Sequence, residues 1–109
     1  MKKIFVVLIL SLMICGCENK ENYKDLMKKN EYVILDVRSD SEYRDEHVVD
    51  AINISYDKIN KNIKLDKDKI IFVYCKSGKR SKLAYDKLSE YGYKVYDLGS
   101  ISNIDLPKI

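Results

Sequence analysis

The chemistry of this chain gathers in Y-C-K-S-G-K-R-S, residues 74–81, where one cysteine closes an apolar run and Lys76, Lys79 and Arg80 surround a glycine. Thiolate is the nucleophilic form of cysteine, and neighbouring cations favour it. Ser81 is expected to open a helix, which makes residues 75–80 a tight loop at the carboxyl end of a strand, where open α/β sheets bind their ligands. The N–H groups of such a loop converge with those of the following helical turn and favour an anion. The pattern therefore predicts a thiolate over an anion cradle, fit to hold a persulfide, a phosphate or an arsenate. Free cysteine is often only a small buried hydrophobe. Lys76, Ser77 and Gly78 are poor company for that role.

The elements that must position the loop are legible from composition. Residues 32–37 (YVILDV) and 70–74 (IIFVY) are β-branched and aliphatic runs of the kind buried on both faces of a parallel sheet. Shorter strand candidates are residues 51–54 and 94–96. Helical stretches fall between them at 41–48, 56–63 and 81–92, the last with Ala84, Leu88 and Tyr91 near one face and Gly92 placed to end it. Strands alternating with helices predict an α/β sandwich around a mostly parallel sheet. With 46% hydrophobic and 34% charged positions in 109 residues, one compact domain is expected.

The amino-terminal stretch reads differently. Lys2 and Lys3 precede an apolar run from Ile4 to Ile14, the layout of a secretory signal and too short to span a bilayer comfortably as an uncleaved anchor. The run ends in Ile14-Cys15-Gly16-Cys17, which resembles the lipobox of bacterial lipoproteins. The expectation is a signal peptide over 1–16, a lipidated Cys17 with a short tether over 17–21, and a domain over 22–109 in which Asn22 caps the first helix. That places the domain at the outer face of the cytoplasmic membrane. Setting 1–16 aside removes Lys2 and Lys3 and lowers the formal charge from +3 to +1. With no basic block or aromatic-basic stripe remaining, a nucleic-acid partner has no support. Cys75 is then left without a disulfide partner, and a lone thiol in an exported protein reads as reactive.

Two motifs carry a family resemblance. Residues 35–54, LDVRSDSEYRDEHVVDAINI, are similar to the D-V-R, E-[YF], H-[IV] and A-x-N-I signature of the rhodanese, or thiosulfate sulfurtransferase, domain, and YCKSGKRS resembles its C-[RK]-x-G-x-R-S loop. A weaker match is YDLGSI, residues 96–101, where the family usually shows two adjacent glycines. The resemblance covers the chain from about Tyr23 to its end. It implies a rhodanese-like three-layer sandwich with about five sheet strands.

The implied activity is sulfur transfer through a persulfide on Cys75, from thiosulfate or another sulfane donor to cyanide or a thiol. Lys76, Lys79 and Arg80, with the amides from Lys76 through Ser77, Gly78 and Ser81, would bind the anionic donor. No metal or organic cofactor is called for. Related phosphatases place five residues between cysteine and arginine, whereas four separate Cys75 from Arg80, which favours sulfur over phosphate or arsenate. A non-catalytic anion- or partner-binding module is the alternative, and the intact cysteine argues against it. Arg38 would either line the mouth of the site or bond to Glu42 or Asp45, the structural role being favoured. His47 is expected to hold a turn and not to act as a base. Where the family commonly reads H-I-P-G-A, residues 47–51 lack both proline and glycine, so another turn geometry is expected there. Neither this change nor Ser100 in place of the second glycine is expected to touch the loop.

Overall fold

The structure is a computed structural model and describes residues 23–109. The expected signal segment 1–16, Cys17, the tether over 17–21 and the Asn22 cap lie outside the described residues. The elements run α1 (Tyr23–Lys29), β1 (Tyr32–Asp36), α2 (Asp40–Asp45), β2 (Ile52–Asn53), a 3-10 turn (Tyr56–Lys58), β3 (Ile70–Cys75), α3 (Lys79–Glu90), β4 (Lys94–Ser100) and a second 3-10 turn (Ile101–Asn103).

Strand order is β2-β1-β3-β4, and every pairing is parallel. The four runs expected from composition are the four strands. The described residues supply no fifth, so the expected count is one too high; the carboxyl-terminal segment contributes only a single antiparallel bridge, between Val48 and Lys108.

Alternation along β1 and β3 builds a core on each face of the sheet. Leu35, Ile71, Val73 and Cys75 face Ala84 and Leu88 of α3, with Ile59 and Tyr93. Ile34 and Tyr74 face the opposite layer of Val48, Ala51, Ile101 and Ile104, with Met27 of α1 and Tyr43 of α2 packed against them. Full burial of each large aliphatic or aromatic side chain stabilises the fold by about 1.5–3 kcal/mol. Two cores separated by a sheet make the expected three layers.

Helix boundaries depart from expectation for local reasons. α2 starts at Asp40 because Ser39 forms a capping box with Glu42, each side chain bonding the other's backbone N–H. It stops at Asp45 because Glu46 is already extended. Only Tyr56–Lys58 of the expected 56–63 helix forms; there the Asn60 side chain accepts from the Asn62 N–H at 2.8 Å and competes with helix continuation. α3 begins two residues before Ser81, with Gly78 as its N-cap.

β4 extends to Ser100 with a bulge. Val73 pairs with Asp97 but Tyr74 pairs with Gly99, so Leu98 is the extra residue, and the Gly99 N–H donates to the Asp97 side chain at 2.9 Å. The bulge brings Ser100 opposite Cys75.

Candidate active site

Cys75 is the last residue of β3 and is fully buried. Its Sγ accepts hydrogen bonds from the Gly78 N–H at 2.9 Å and the Ser81 N–H at 3.2 Å. The chain can wrap the sulfur so tightly because Gly78 has φ +96°, a backbone conformation that glycine adopts without strain. A helix leaves its first four N–H groups without intrahelical acceptors. Here two of the four are aimed at the sulfur. A third, Lys79 N–H, reaches Ser77 Oγ at 3.4 Å, and the first intrahelical bond runs from Lys82 N–H to the Gly78 carbonyl. Among the described hydrogen bonds, the Ser77 and Arg80 amides have no acceptor. Ser81, also fully buried, donates its hydroxyl to the Gly78 carbonyl and so braces the loop from within.

The three cations of the loop do different things. Lys76 and Lys79 are exposed at its rim. Arg80 is not free: its guanidinium forms a two-pronged pair with Glu42, at 2.8 Å and 3.1 Å. Arg80 foremost, and then Ser39, hold the Glu42 carboxyl down at about 2 against a partial burial that opposes them. The sequence expectation places Arg80 on the anionic donor, whereas in the structure its guanidinium lies on Glu42. Its fork is occupied by Glu42, and what it gives the loop is attachment to α2 together with charge. Glu42 was missed as a site residue, although S-D-S-E at 39–42 carries the capping-box signature that fixes its position.

Arg38 lies inside the protein and not at the mouth. It donates from Nε and Nη2 to Asp36, and from Nη2 to the Glu46 carbonyl at 2.5 Å. The expected bonds to Glu42 or Asp45 are not made; its partners are Asp36 and Glu46. The Asp36 carboxylate also accepts from the Arg38 N–H and from the Tyr74 hydroxyl, which in turn accepts from the Val48 N–H. Burial, with Asp36 beside it, pushes the Tyr74 hydroxyl well above its ordinary pKa. It stays neutral and serves as a fixed strut between the two strands.

His47 also has a structural place. Its Nδ1 lies 2.8 Å from the Tyr43 carbonyl, which can only accept, so Nδ1 carries the proton. The ring stacks on Tyr43 at 3.8 Å, and its backbone pairs with Ile109 in both directions. Asp50 takes φ +71°, so the turn carries a left-handed residue without glycine; aspartate is one of the few other residues that visit this region. Ser100 does touch the loop, contrary to expectation: its Oγ donates to the Lys76 carbonyl at 2.6 Å.

Cys75 thus ends a strand of a parallel sheet between two helical layers, bonded by loop amides, and the family model for the rhodanese-like domain matches residues 19–104. The chain belongs to the rhodanese-like domain family and is a rhodanese-like enzyme. It is 40% identical over 76 residues to a protein of Coxiella burnetii named thiosulfate sulfurtransferase GlpE, covering 68% of this chain and 71% of that one. It is 38% identical over 79 residues to thiosulfate sulfurtransferase PspE of Escherichia coli, covering 69% and 76%. A solved structure described as a rhodanese with anions from E. coli superposes with a TM-score of 0.66 at 36% identity, covering 72% of this chain and 96% of that one.

Proposed function

We propose that this protein is a sulfurtransferase that carries sulfane sulfur on Cys75. The observation that carries the reading is the pair of backbone N–H groups, of Gly78 and Ser81, directed at the Cys75 sulfur inside a loop rimmed by Lys76 and Lys79. The relatives named thiosulfate sulfurtransferases support it.

In the first half-reaction the Cys75 thiolate attacks the outer sulfur of thiosulfate. The new S–S bond forms as the donor's own S–S bond breaks, and sulfite leaves with the electron pair. In the second, cyanide or a thiolate attacks the outer sulfur of the persulfide and regenerates the Cys75 thiolate. The amides of Ser77 and Arg80 are the donors left for the anionic donor and for the outer sulfur, and Lys76 and Lys79 draw the anion to the mouth. Arg80 acts through its pair with Glu42, which ties the first turn of α3 to α2 and holds the cradle's shape. That engagement also weakens a phosphatase or arsenate-reductase reading, which needs a free guanidinium fork on the transferred group.

The reading includes a place of action. Cleavage after Gly16 and lipidation of Cys17 would hold the domain at the outer face of the cytoplasmic membrane. Metabolic labelling with a clickable fatty acid tests this; label should be present in the native chain and absent from Cys17→Ala.

Intact mass of the protein after incubation with thiosulfate tests the chemistry. One sulfur atom should be gained, lost on adding cyanide with stoichiometric thiocyanate, and never gained by Cys75→Ser. If neither thiosulfate nor a polysulfide adds sulfur to Cys75, the sulfur-transfer reading falls.

A further inference from the structure

We propose that Ser100 is a positioning residue of the Cys75 loop, holding the Lys76–Ser77 peptide so that its N–H, and not its carbonyl oxygen, faces an incoming anion. This rests on the proposed anion-accepting role of the loop. Ser100 stands where the resemblance leads one to expect a second glycine, so the interaction belongs to a side chain the family pattern lacks.

Three observations meet at this residue. First, the bulge at Leu98 resets β4 by one position; without it Gly99, and not Ser100, would lie opposite Cys75. Second, Ser100 Oγ donates to the Lys76 carbonyl at 2.6 Å. Third, the hydroxyl is itself oriented. It accepts from the Ser102 N–H at 3.3 Å and lies 2.8 Å from Ser102 Oγ. A serine hydroxyl has one proton and two acceptor sites. With that proton committed to Lys76, Ser102 must donate in both contacts, and Ser100 is fully engaged.

The consequence for the loop follows from peptide geometry. All peptide bonds among the described residues are trans. In a trans peptide the C=O and N–H point in opposite directions. Drawing the Lys76 carbonyl onto β4 therefore turns the Ser77 N–H away from β4, and it is assigned to the same anion that the loop of the Gly78 and Ser81 amides would receive. Ser77 N–H has no acceptor among the described hydrogen bonds, so it is available to a ligand. A flip of this peptide would exchange the donor for a carbonyl oxygen, which repels an anion. Gly78 supports the same arrangement from above: a side chain there would lie 3.8 Å from the Cα of Gly99, so the loop already rests on β4.

The test compares alkylation of Cys75 by iodoacetate, an anion, with alkylation by iodoacetamide, its neutral analogue, in the full-length protein. The rate is followed at the Cys75 peptide by mass spectrometry. In both reactions the thiolate forms a C–S bond and iodide leaves, and no sulfur donor is involved. The iodoacetate-to-iodoacetamide rate ratio should fall about three- to ten-fold in Ser100→Ala, the size expected for losing one hydrogen bond that orients a donor to an anion. Ser100→Thr keeps the hydroxyl and should restore most of the ratio. Ser102→Ala removes one of the two contacts that orient the Ser100 hydroxyl and keeps the Ser100 to Lys76 bond, so the ratio should fall by less than in Ser100→Ala; a fall as large as that of Ser100→Ala overturns the proposal.

An unchanged ratio in Ser100→Ala overturns the proposal. So does a common change in both rates accompanied by a lower melting temperature, because that is the signature of a merely structural residue. A lowered ratio in Ser100→Ala, together with failure of the native protein to take sulfur from thiosulfate, would leave the positioning role standing and remove the sulfur-transfer reading alone.

Discussion

Two neighbouring strands of the sheet end within one strand spacing of each other and do opposite things with their polar groups. At the end of β1, Asp36 and Arg38 are buried and paired, and the acceptor sites of the carboxylate are filled. The carboxylate takes the Arg38 backbone and guanidinium and the Tyr74 hydroxyl, and the guanidinium reaches on to the Glu46 carbonyl. At the end of β3, Cys75 is equally buried, but the donors around it exceed what one sulfur consumes. Gly78 and Ser81 are spent on it, while Ser77 and Arg80 keep their amides. A closed set of hydrogen bonds makes a corner rigid, and a set with surplus donors makes it receptive. The rigid corner braces the receptive one through Tyr74, which precedes Cys75 in the chain and reaches across to Asp36.

Variants of the rigid corner should give the largest effects. Arg38→Ala leaves the Asp36 charge buried without its partner and should destabilise the fold by about 3–5 kcal/mol, read by urea denaturation. A loss below about 1 kcal/mol would mean that the corner is not the brace the comparison makes it. The link between α2 and α3 comes next. Glu42→Gln should cost about 1–2 kcal/mol, since it removes one charge of a two-pronged, partly buried pair. The same pair has a pH signature. Glu42 is held at about 2 in the fold, against 4.5 as its ordinary value. Its contribution is therefore whole above about pH 4.5 and is lost as pH falls towards 2. Glu42→Gln should flatten that part of the stability profile in acid denaturation curves.

The receptive corner should respond in function more than in stability. Lys76→Ala and Lys79→Ala should each raise KM for thiosulfate a few-fold at low ionic strength, with the difference from the native protein shrinking as salt rises to about 0.5 M. Melting temperature should hardly move, because both side chains are exposed. The smallest effect is expected at Asp50, where replacement by glycine relieves a left-handed residue and gives up some chain entropy in exchange. Asp50→Gly should stabilise by about 0.5 kcal/mol or less, measurable by calorimetry.

What the sequence revealed of this arrangement tracks how local each feature is. β1 and β3 are continuous apolar runs, and a run buried on both faces reads plainly. The loop from Cys75 to Ser81 is contiguous, so its cysteine at the strand end and its cations could be placed without the fold, whereas its helix begins at Lys79, two residues before the expected Ser81. The carriers of long-range geometry were the ones misread. Arg80 was assigned to the ligand because nothing in its own neighbourhood shows that Glu42, 38 residues earlier, takes its guanidinium. Ser100 was set aside because the bulge that brings it opposite Cys75 depends on how β4 registers against β3. Arg38 was given the wrong partners, because the short reach back to Asp36 is visible only once the strand end has turned.

The all-parallel strand order has a consequence for how the protein comes into being. Among the described residues no two strands are joined by a hairpin, and β1 lies beside β3, whose first residue is more than 30 positions further along. Pairings at such separation form slowly and leave apolar strands uncovered meanwhile. Ile34 and Leu35 have only the two-residue β2 to pair with until β3 has been synthesised. The cradle waits longer still, because Gly99 and Ser100, on which the loop rests, arrive 24 and 25 residues after the cysteine. A nascent or partly unfolded chain thus carries Cys75 as an ordinary thiol, open to any oxidant or electrophile. The contacts that shape its loop are complete only when the last strand docks.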